Sequence, residues 1–400
     1  MFGFGKKTNI NKDEREIEKL LSRGVDSVIG GENLKKRLLK GEKLRVKFGT
    51  DPTSPNLHLG RSIPILKLQD FQKLGHQIVL IVGDFTGTIG DTSDKDSERS
   101  SLTREEVKQN MKTYIDQISK LLDISKVEIN YNSKWLEKLN FSQIGDLARI
   151  FSINQFISRD LISKRLKKGK RVSLQETLYP LMQGYDSVAI KSDVEIGGTD
   201  QLFNMLAGRD IQKHFGQKEQ SVITGPIVEG SDGRKMSSSW GNTINFTDSP
   251  SEMYGKVMSV RDESVINYFT LLTRTSIDEI SNLEKQILVD PKNTKMKLAE
   301  AVVSMYHSEA GAEKAKKDWQ KTFSQGGVPE DVQEISVDGG ENLIDVFIEN
   351  NLLPSKTEFR RRYKAGAIKN AGSGEKAPEI ITDSTVIKYG KKNFIKITVK

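Results

Sequence analysis

The sequence predicts an α/β protein: a Rossmann-type parallel-sheet domain with a helical insertion, an α-helical domain, and a small α+β domain. Three observations support this. Two short apolar segments enclose a helix-spaced segment between residues 44 and 83. A second alternation of helices and strands follows between 176 and 228, and residues 250 to about 323 have helical spacing without strand signals. Alternating strands and helices favour a parallel sheet, and the helical run favours a separate bundle.

The first βαβ unit is predicted from its apolar pattern. Helices near 12–22 and 31–40 lead into a strand at 44–49. A helix at 58–74 follows, with Gly75 as its stop signal, and a buried strand at 77–83 completes the unit. Pro64 lies near the front of the helix, where its missing N–H is tolerated.

The rest of the chain is divided by changes in pattern and composition. Residues 104–165 are predicted to form several helices, and 164–171 a basic loop. The following elements are a helix at about 176–190, a strand at 193–196, a helix at 199–214 and a strand at 221–228. The predicted domains are 1–248, with a helical insertion at about 104–175, 249–324, a linker at 325–337, and 338–400, where a helix precedes short strands around Gly390.

Composition excludes several classes of protein. The 400 residues contain no cysteine, which rules out disulfides and thiolate metal sites, and only four histidines. We therefore expect no protein-bound zinc, and we expect any Mg²⁺ to arrive with a nucleotide. The first 11 residues lack an apolar segment, and no apolar stretch is long enough for a membrane span, so we expect a cytoplasmic protein without membrane contact.

The charge of the chain favours a polyanionic partner. The formal net charge is +8, and residues 338–400 hold 12 Lys or Arg against 8 Asp or Glu. About half of the positive excess therefore lies in a sixth of the chain. A basic surface can attract nucleic acid, but it can equally serve solubility.

The strand–turn–helix at 45–74 is a candidate phosphate site. Ligands of parallel α/β sheets bind beyond the carboxyl ends of the strands, where helix N-termini offer N–H groups. Thr53 and His58 lie where a phosphate would bind, and Gly60 would let an adenine ring approach the backbone. The alternative is an ordinary helix start with an incidental histidine.

A second candidate phosphate site follows the basic turn at 232–234. Lys235 and the hydroxyls of Ser237, Ser238 and Ser239 can surround a triphosphate with one charge and several donors, and a Gly-flanked loop can close during the reaction. The alternative is a polar surface turn.

A third candidate site is a helix face that suits a small polar substrate. Tyr179, Gln183 and Asp186 are spaced i, i+4 and i+7, which places all three on one face. Asp186 can accept a hydrogen bond from a phenol, while Gln183, Asp200 and Gln201 can address an amino group and ribose hydroxyls. The alternative is a solvated polar stripe.

Together these motifs resemble the bacterial tyrosyl-tRNA synthetases, a family of class I aminoacyl-tRNA synthetases, in order and spacing over nearly the whole chain. The matching segments are Asp51-Pro52-Thr53, His58-Leu59-Gly60, Gly90-Asp91, Tyr179 to Asp186, Gly197 to Gln201, and Lys235-Met236-Ser237-Ser238-Ser239. The resemblance implies an enzyme that uses ATP with Mg²⁺ to charge tRNA(Tyr) with L-tyrosine. It also implies a homodimer formed largely through the helical insertion at about 104–175.

The resemblance also implies roles for individual residues. Asp91, Tyr179 and Gln183 would hold the tyrosine ammonium, Asp186 would bind the phenol, and Gln201 would lie near the carboxylate. Catalytic contacts to the phosphates would come from Thr53, His58, Arg61, Lys235 and Ser238. The ATP-binding set would be Asp51, Gly60, Asp200, Lys235, Met236, Ser237, Ser238 and Ser239.

Three positions depart from the family pattern. Arg61 stands where a second histidine is usual, and Ser238 where a second lysine is usual. Lys47 occupies the place of a tyrosine that helps to bind the phenol in one branch of the family. We therefore assign phenol recognition mainly to Asp186, and we expect Arg61 to offset part of the charge missing at Ser238.

The tail resembles an S4-type RNA-binding module. A helix at 343–349 is followed by a helix from Ser355, whose spacing to Glu358 predicts a capping box, and then by a turn into a strand. The residues expected to grip RNA phosphates are Lys356, Arg360, Arg361, Arg362 and Lys364. The usual valine-asparagine-glycine turn is replaced by residues 368–372.

Two other functions fit part of the sequence. An RNA-binding protein that retains a decayed synthetase body would explain the altered signatures, but it would not need the intact set at 179–186. Another nucleotidyltransferase with a similar first loop would explain neither that set nor the tail. Tyrosine-dependent exchange of pyrophosphate into ATP separates all three.

Overall fold

The computed structural model describes residues 10–91, 102–324, 332–390 and 393–400. The chain divides into two compact units, one of residues 1–248 and 256–306 and the other of 249–255 and 307–400. Residues 325–331 of the predicted linker at 325–337 lie outside the described residues, while Glu334–Val337 form a strand, and the predicted domain boundaries remain a prediction. Within the described ranges, no helix combines the length and apolar composition needed to cross a membrane.

The first unit contains a six-stranded sheet and most of the helices. Its strands are β1 Ser27–Ile29, β2 Arg45–Thr50, β3 Gln77–Val82, β4 Val127–Tyr131, β5 Val194–Gly198 and β6 Ser221–Gly225. Its helices are α1 Glu14–Ser22, α2 Gly31–Leu39, α3 Leu59–Lys73, α4 Thr86–Ile89, α5 Arg104–Met111, α6 Tyr114–Ser119, α7 Ser133–Leu136, α8 Phe141–Ala148, α9 Ile153–Ile157, α10 Asp160–Lys167, α11 Leu174–Thr177, α12 Tyr179–Ile190 and α13 Leu202–His214. Helix α14, Pro250–Met258, crosses the unit boundary, and α15 Val265–Leu272, α16 Ile277–Val289 and α17 Pro291–Tyr306 follow.

The sheet has the order β1-β6-β5-β2-β3-β4. All neighbouring pairs are parallel except β1 with β6. The chain runs outward from β2 through β3 to β4 and then returns to place β5 on the other side of β2. The carboxyl ends of β2 and β5 therefore form a topological switch point, where ligands of open α/β sheets bind.

The predicted α/β class is confirmed, with differences in single elements. The strands predicted at 44–49, 77–83, 193–196 and 221–228 correspond to β2, β3, β5 and β6. The helix predicted at 176–190 is split into α11 and α12, and the one predicted at 199–214 begins with a 3-10 turn at Thr199–Gln201. The wholly helical prediction for 104–165 was wrong, because it missed β4, whose apolar Val127, Ile129 and Tyr131 alternate with polar residues.

Helix α3 fills the space beside the switch point. Nine of its fifteen residues are buried, so it is apolar on most of its circumference, as expected of a helix packed on both sides. Pro64 is accommodated inside the helix, five residues after its start. The carbonyl of Leu59, near the helix start, accepts a hydrogen bond from Ser62 Oγ at 2.7 Å.

The second unit contains α18 Glu309–Ser324 and the tail. In the tail, the strands are β7 Glu334–Val337, β8 Glu341–Asn342, β9 Ile368–Asn370, β10 Ile380–Ile381, β11 Thr385–Tyr389 and β12 Phe394–Val399, and the helices are α19 Leu343–Glu349 and α20 Lys356–Lys364. A four-stranded sheet has the order β7-β12-β11-β9. Val346, Phe347 and Phe359 from the two helices join Ile387 and Ile397 of the sheet in one apolar core. The tail is therefore an α+β module with its own core.

Candidate active site

One cavity of about 600 Å³ opens at the carboxyl ends of β2 and β5. Among its lining residues are the predicted members Asp51, Thr53, His58, Gly60, Arg61, Asp91, Tyr179, Gln183, Asp186, Asp200, Gln201, Lys235, Met236, Ser237 and Ser238. The side chain of Ser239 lies outside the described part of the structure. The described segments that carry the three predicted motifs thus line the same cavity.

Asp51, directly after β2, joins two of these motifs. Its Oδ2 accepts a hydrogen bond from the hydroxyl of Tyr179 at 2.8 Å, and its Oδ1 accepts one from Thr86 Oγ1 at 2.7 Å. Burial, followed by the charges of Asp51 and Asp91, raises the pKa of Tyr179 well above its usual value, so this hydroxyl stays protonated and donates. A Cβ at Gly83 would overlap Asp51 Oδ1, so the glycine leaves room for this carboxylate.

The start of α3 differs in one respect from the prediction. The N–H groups of the first turn were expected to be open to phosphate, but that of Leu59 donates to Ile244 O at 2.8 Å and that of Gly60 to Met236 Sδ at 3.4 Å. Because a thioether is a weak acceptor, a ligand oxygen can replace it at Gly60. The same contact joins the first signature to the second.

His58 precedes α3 as its N-cap residue. Its Nδ1 is buried and has no hydrogen-bond partner among the described residues. Burial, and then the charges of Arg61 and Lys235, lowers the pKa of His58 to about 3. The imidazole is therefore neutral near pH 7 and offers a ligand one N–H donor.

The second signature follows a short hairpin. Met236 N donates to Val228 O at 2.9 Å, Gly230 N donates to Arg234 O at 2.7 Å, and Gly233 at the tip has a φ of +82°, which favours glycine. Lys235 Nζ lies 3.1 Å from Asp200 Oδ2, and both side chains are partly exposed to the cavity. A lysine and a carboxylate predicted to share the nucleotide are thus paired with each other.

Asp186 is buried and bound by two residues that the sequence motifs did not include. Trp135 Nε1 donates to Asp186 Oδ1 at 2.7 Å, and Asn132 Nδ2 lies 3.3 Å from Asp186 Oδ2. Burial raises the pKa of Asp186 to about 7, partly opposed by the charge of Lys47 and by the two donors. Asn132 also contacts Thr86 Oγ1 at 3.0 Å. A strand predicted at 127–131 would have placed Asn132 and Trp135 just beyond its carboxyl end, and this was the signal by which both residues could have been found.

Other residues predicted to bind the amino acid are also held by hydrogen bonds. Gln201 Nε2 donates to Asp91 Oδ2 at 2.6 Å, and Gln183 Nε2 donates to Glu195 Oε1 at 3.1 Å. Glu195 lines the cavity but was not among the predicted site residues. The amide groups are therefore held by carboxylates, which accept hydrogen bonds and do not donate them when ionised.

The predicted RNA-binding residues lie on α20 in the second unit. Lys356 pairs with Asp345 at 2.6 Å, while Arg361 and Arg362 pair with Glu358 at 2.8 and 2.7 Å. The predicted capping box is half formed: Glu358 N donates to Ser355 Oγ at 3.2 Å. The Glu358 side chain binds the two arginines and does not accept from Ser355 N. Arg360 and Lys364 make no ion pair with any residue that the structure describes. In place of the usual turn, Asn370 Oδ1 accepts from Gly372 N at 2.9 Å.

Comparison with known proteins agrees with this geometry. The family model described as tRNA synthetases class I (W and Y) matches residues 39–324. The tyrosine–tRNA ligase of Thermotoga maritima is 41% identical over 390 residues, covering 96% of this chain and 97% of its own length. That of Oleidesulfovibrio alaskensis is 42% identical over 392 residues, covering 96% and 98%.

Two solved structures share the fold. The tyrosyl-tRNA synthetase of Archaeoglobus fulgidus, complexed with L-tyrosine, has a TM-score of 0.62 and 23% identity, over 76% of this chain and all of its own. A C-terminally truncated mitochondrial tyrosyl-tRNA synthetase of Aspergillus nidulans has a TM-score of 0.65 and 23% identity, over 80% and 95%.

A parallel sheet with its cavity at the switch point and two nucleotide signatures defines an enzyme of the class I aminoacyl-tRNA synthetase type. Within that class, the chain belongs to the tyrosine–tRNA ligase family. The predicted family is thereby confirmed, and ATP is a substrate of the class. The roles of the single residues remain predictions.

Proposed function

We propose that the chain activates L-tyrosine with ATP, forming tyrosyl-adenylate and pyrophosphate, and then transfers tyrosine to the 3′ end of tRNA(Tyr). The observation that carries this proposal is the single cavity lined by the 179–186 helix face and by both signatures. It brings a carboxylate suited to a phenol, at Asp186, into the same space as two candidate phosphate segments. Transfer of labelled tyrosine to purified tRNA(Tyr), measured with and without ATP, tests it.

In the first step the tyrosine carboxylate attacks the α-phosphorus of ATP in line, and pyrophosphate leaves with the bond electrons. No covalent enzyme nucleophile is needed, so the site acts by holding the reactants together and by stabilising charge on the phosphates. We assign that stabilisation to Thr53, His58, Arg61, Lys235 and Ser238, with Mg²⁺ arriving as part of the nucleotide substrate. In the second step a terminal ribose hydroxyl of tRNA attacks the carbonyl carbon of tyrosyl-adenylate, and AMP leaves.

The pair of Lys235 with Asp200 suggests how nucleotide binding prepares the loop. The two side chains lie 3.1 Å apart in the structure. The family resemblance assigns Asp200 to the nucleotide, where a carboxylate can accept hydrogen bonds from ribose hydroxyls. Once Asp200 binds the ribose, Lys235 is released toward the triphosphate, where its charge is required.

The tyrosine contacts divide by chemistry. We assign the ammonium to Asp91, Tyr179 and Gln183, and the phenol to Asp186. Asp186 already accepts hydrogen bonds from Trp135 and Asn132, so a tyrosine hydroxyl would complete its set of donors. Phenylalanine would leave that buried carboxylate without its third donor, which is the general basis for rejecting an analogue that lacks a hydroxyl; the handling of tyrosine against phenylalanine by this family is a known instance of it.

We further propose that the enzyme is a homodimer in the cytoplasm, where tRNA is charged for translation. The helical insertion exposes large apolar side chains, with Phe141 92%, Ile153 72% and Leu174 73% accessible. We assign the dimer contact to these side chains, because burying them between two copies of the chain would remove apolar surface from water. Sedimentation should give a dimer for the parent and a monomer for Phe141→Asp; a parent that sediments as a monomer would exclude the dimer.

A further inference from the structure

A buried ion pair lies beneath the amino-acid end of the cavity. Lys47 on β2 and Glu195 on β5 are register partners in the parallel pair. Their side chains are 0% and 2% exposed, and Lys47 Nζ lies 2.9 Å from Glu195 Oε1. A buried pair is costly unless further hydrogen bonds satisfy both ions, so its remaining partners show what the pair holds in place.

The remaining partners of Lys47 are on α12. Its Nζ lies 2.9 Å from the backbone oxygen of Gln183 and 2.8 Å from Ser187 Oγ. With Glu195, these contacts use all three donors of the ammonium. Lys47 thereby ties the helix turn that carries Gln183 to the central strand β2.

Glu195 completes the arrangement. It accepts hydrogen bonds from Gln183 Nε2 at 3.1 Å, from Ser187 Oγ at 3.2 Å, and from Gln220 Nε2. Gln183 lines the cavity, so among these three donors it is the one with access to a substrate. Both members of the ion pair therefore converge on Gln183, one at its backbone and one at its side chain.

This contact determines which end of the Gln183 amide is offered to a ligand. An ionised carboxylate can only accept, so the NH₂ group of the amide must face Glu195. The amide oxygen is then the atom left to meet the cavity. An oxygen attracts a substrate ammonium, whereas an NH₂ group in the same place would repel it.

We propose that Glu195, held by Lys47, is a positioning residue that orients the Gln183 amide and so gives the pocket its preference for a substrate with a free ammonium group. The inference rests on the proposed function, since it concerns the amino group of tyrosine. It adds that the ion pair between β2 and β5 determines whether the oxygen or the nitrogen of the Gln183 amide faces the substrate.

The test compares two small competitors of tyrosine in pyrophosphate exchange. Tyramine carries the phenol and the ammonium, and 3-(4-hydroxyphenyl)propionate carries the phenol and no ammonium. Lys47 and Gln183 both contact Glu195 Oε1, and Glu195→Ala removes that oxygen, so the Gln183 amide is no longer oriented from the strand. The inhibition constant of tyramine should rise about tenfold or more, while that of the propionate should change less than about twofold.

A double-mutant cycle separates positioning from direct contact, because Glu195 itself lines the cavity. If Glu195 acts through Gln183, then Glu195→Ala should have no further effect on tyramine in the Gln183→Ala background. An undiminished effect there would mean that Glu195 contacts the ammonium directly and would overturn the proposal. Equal weakening of both competitors, or of neither, would also overturn it.

Two further variants control for loss of packing. Glu176→Ala breaks another buried ion pair, in which Arg165 Nη1 lies 2.6 Å from Glu176 Oε2, and should lower thermal stability without selective loss of tyramine. Glu195→Asp keeps the negative charge but shortens its reach to Gln183; if Glu195→Ala does not fold, the same selective loss is expected of Glu195→Asp, and its absence would contradict the proposal. Failure of the parent enzyme to exchange pyrophosphate would instead count against the proposed function.

Discussion

Trp135 donates its indole N–H to Asp186 Oδ1 at 2.7 Å, which fixes a buried carboxylate at the amino-acid end of the cavity. Asn132 supports the other oxygen, and it also contacts Thr86, whose hydroxyl donates to Asp51. Tyr179 donates to the second oxygen of Asp51. A continuous set of hydrogen bonds therefore runs from the predicted phenol contact to the predicted adenylate contact.

Replacing Asp186 should improve stability and impair tyrosine binding. The pKa of the carboxyl is about 7 in the folded chain and about 4 in an unfolded one, so the folded state binds this proton more tightly. The stability that this proton contributes is complete below about pH 4 and is lost as pH rises through 7, at a cost on the order of 2–4 kcal/mol. Asp186→Asn should therefore raise the melting temperature more at pH 8.5 than at pH 5, while KM for tyrosine rises at least about tenfold.

Asp84→Asn is the matched control for this change. Asp84 is a partly buried carboxylate that accepts hydrogen bonds from Ser133 N and Oγ. It should show no selective loss of tyrosine. A fall in the affinity for ATP as large as that for tyrosine in Asp186→Asn would mean that Asp186 does not bind the amino acid.

Arg61 should supply positive charge to the triphosphate. It is exposed, lines the cavity, and lies three residues after His58 at the start of α3. Arg61→Ala should slow adenylate formation about tenfold with little change in KM for tyrosine, because a charge-assisted hydrogen bond to phosphate is lost. Adding Ser238→Lys should recover part of the rate in single-turnover measurements.

Lys73→Ala removes a positive charge from the far end of the same helix and should leave the rate unchanged. If Arg61→Ala forms adenylate at the parental rate, Arg61 is a surface residue, and its compensation for the lysine missing at Ser238 is wrong.

The ion pairs of α20 predict which tail residues contribute most to RNA binding. Arg360 and Lys364 have no ion-pair partner among the described residues, while Arg361 is paired with Glu358. Arg360→Ala with Lys364→Ala should weaken binding of tRNA(Tyr) and reduce the slope of log affinity against log salt by about 2, with pyrophosphate exchange unchanged. Arg361→Ala should have a smaller effect on both quantities. If Arg361→Ala weakens tRNA binding more than the double variant in filter-binding titrations, the proposal that the residues of α20 without a described ion-pair partner bind RNA most strongly is wrong.

Much of the cavity could be predicted from residue spacing. Tyr179, Gln183 and Asp186 share one helix face by periodicity alone, and the strands β2 and β5 are apolar enough to be recognised. What sequence could not give was the partner of each polar group. Trp135 is distant in sequence from Asp186. It lies near that carboxylate because β4, which precedes it in the chain, pairs with β3.

The Lys47–Glu195 pair shows the same limit. From the sequence alone, Lys47 is a departure from the family pattern, and Glu195 lies inside the predicted strand at 193–196. Charged residues inside a buried strand are rare unless they are paired, so each could have suggested a partner. The register of β2 against β5, which makes them neighbours, follows from long-range packing and not from either segment.

Tyrosine-dependent exchange of labelled pyrophosphate into ATP tests the central claim most directly, because it requires the amino acid and the nucleotide to react in one cavity. With the parent chain we expect exchange with tyrosine and ATP, and far slower exchange when phenylalanine replaces tyrosine. The exchange should not need tRNA. A folded chain that binds tRNA but shows no tyrosine-dependent exchange would contradict the account and favour an RNA-binding protein with a decayed synthetase body.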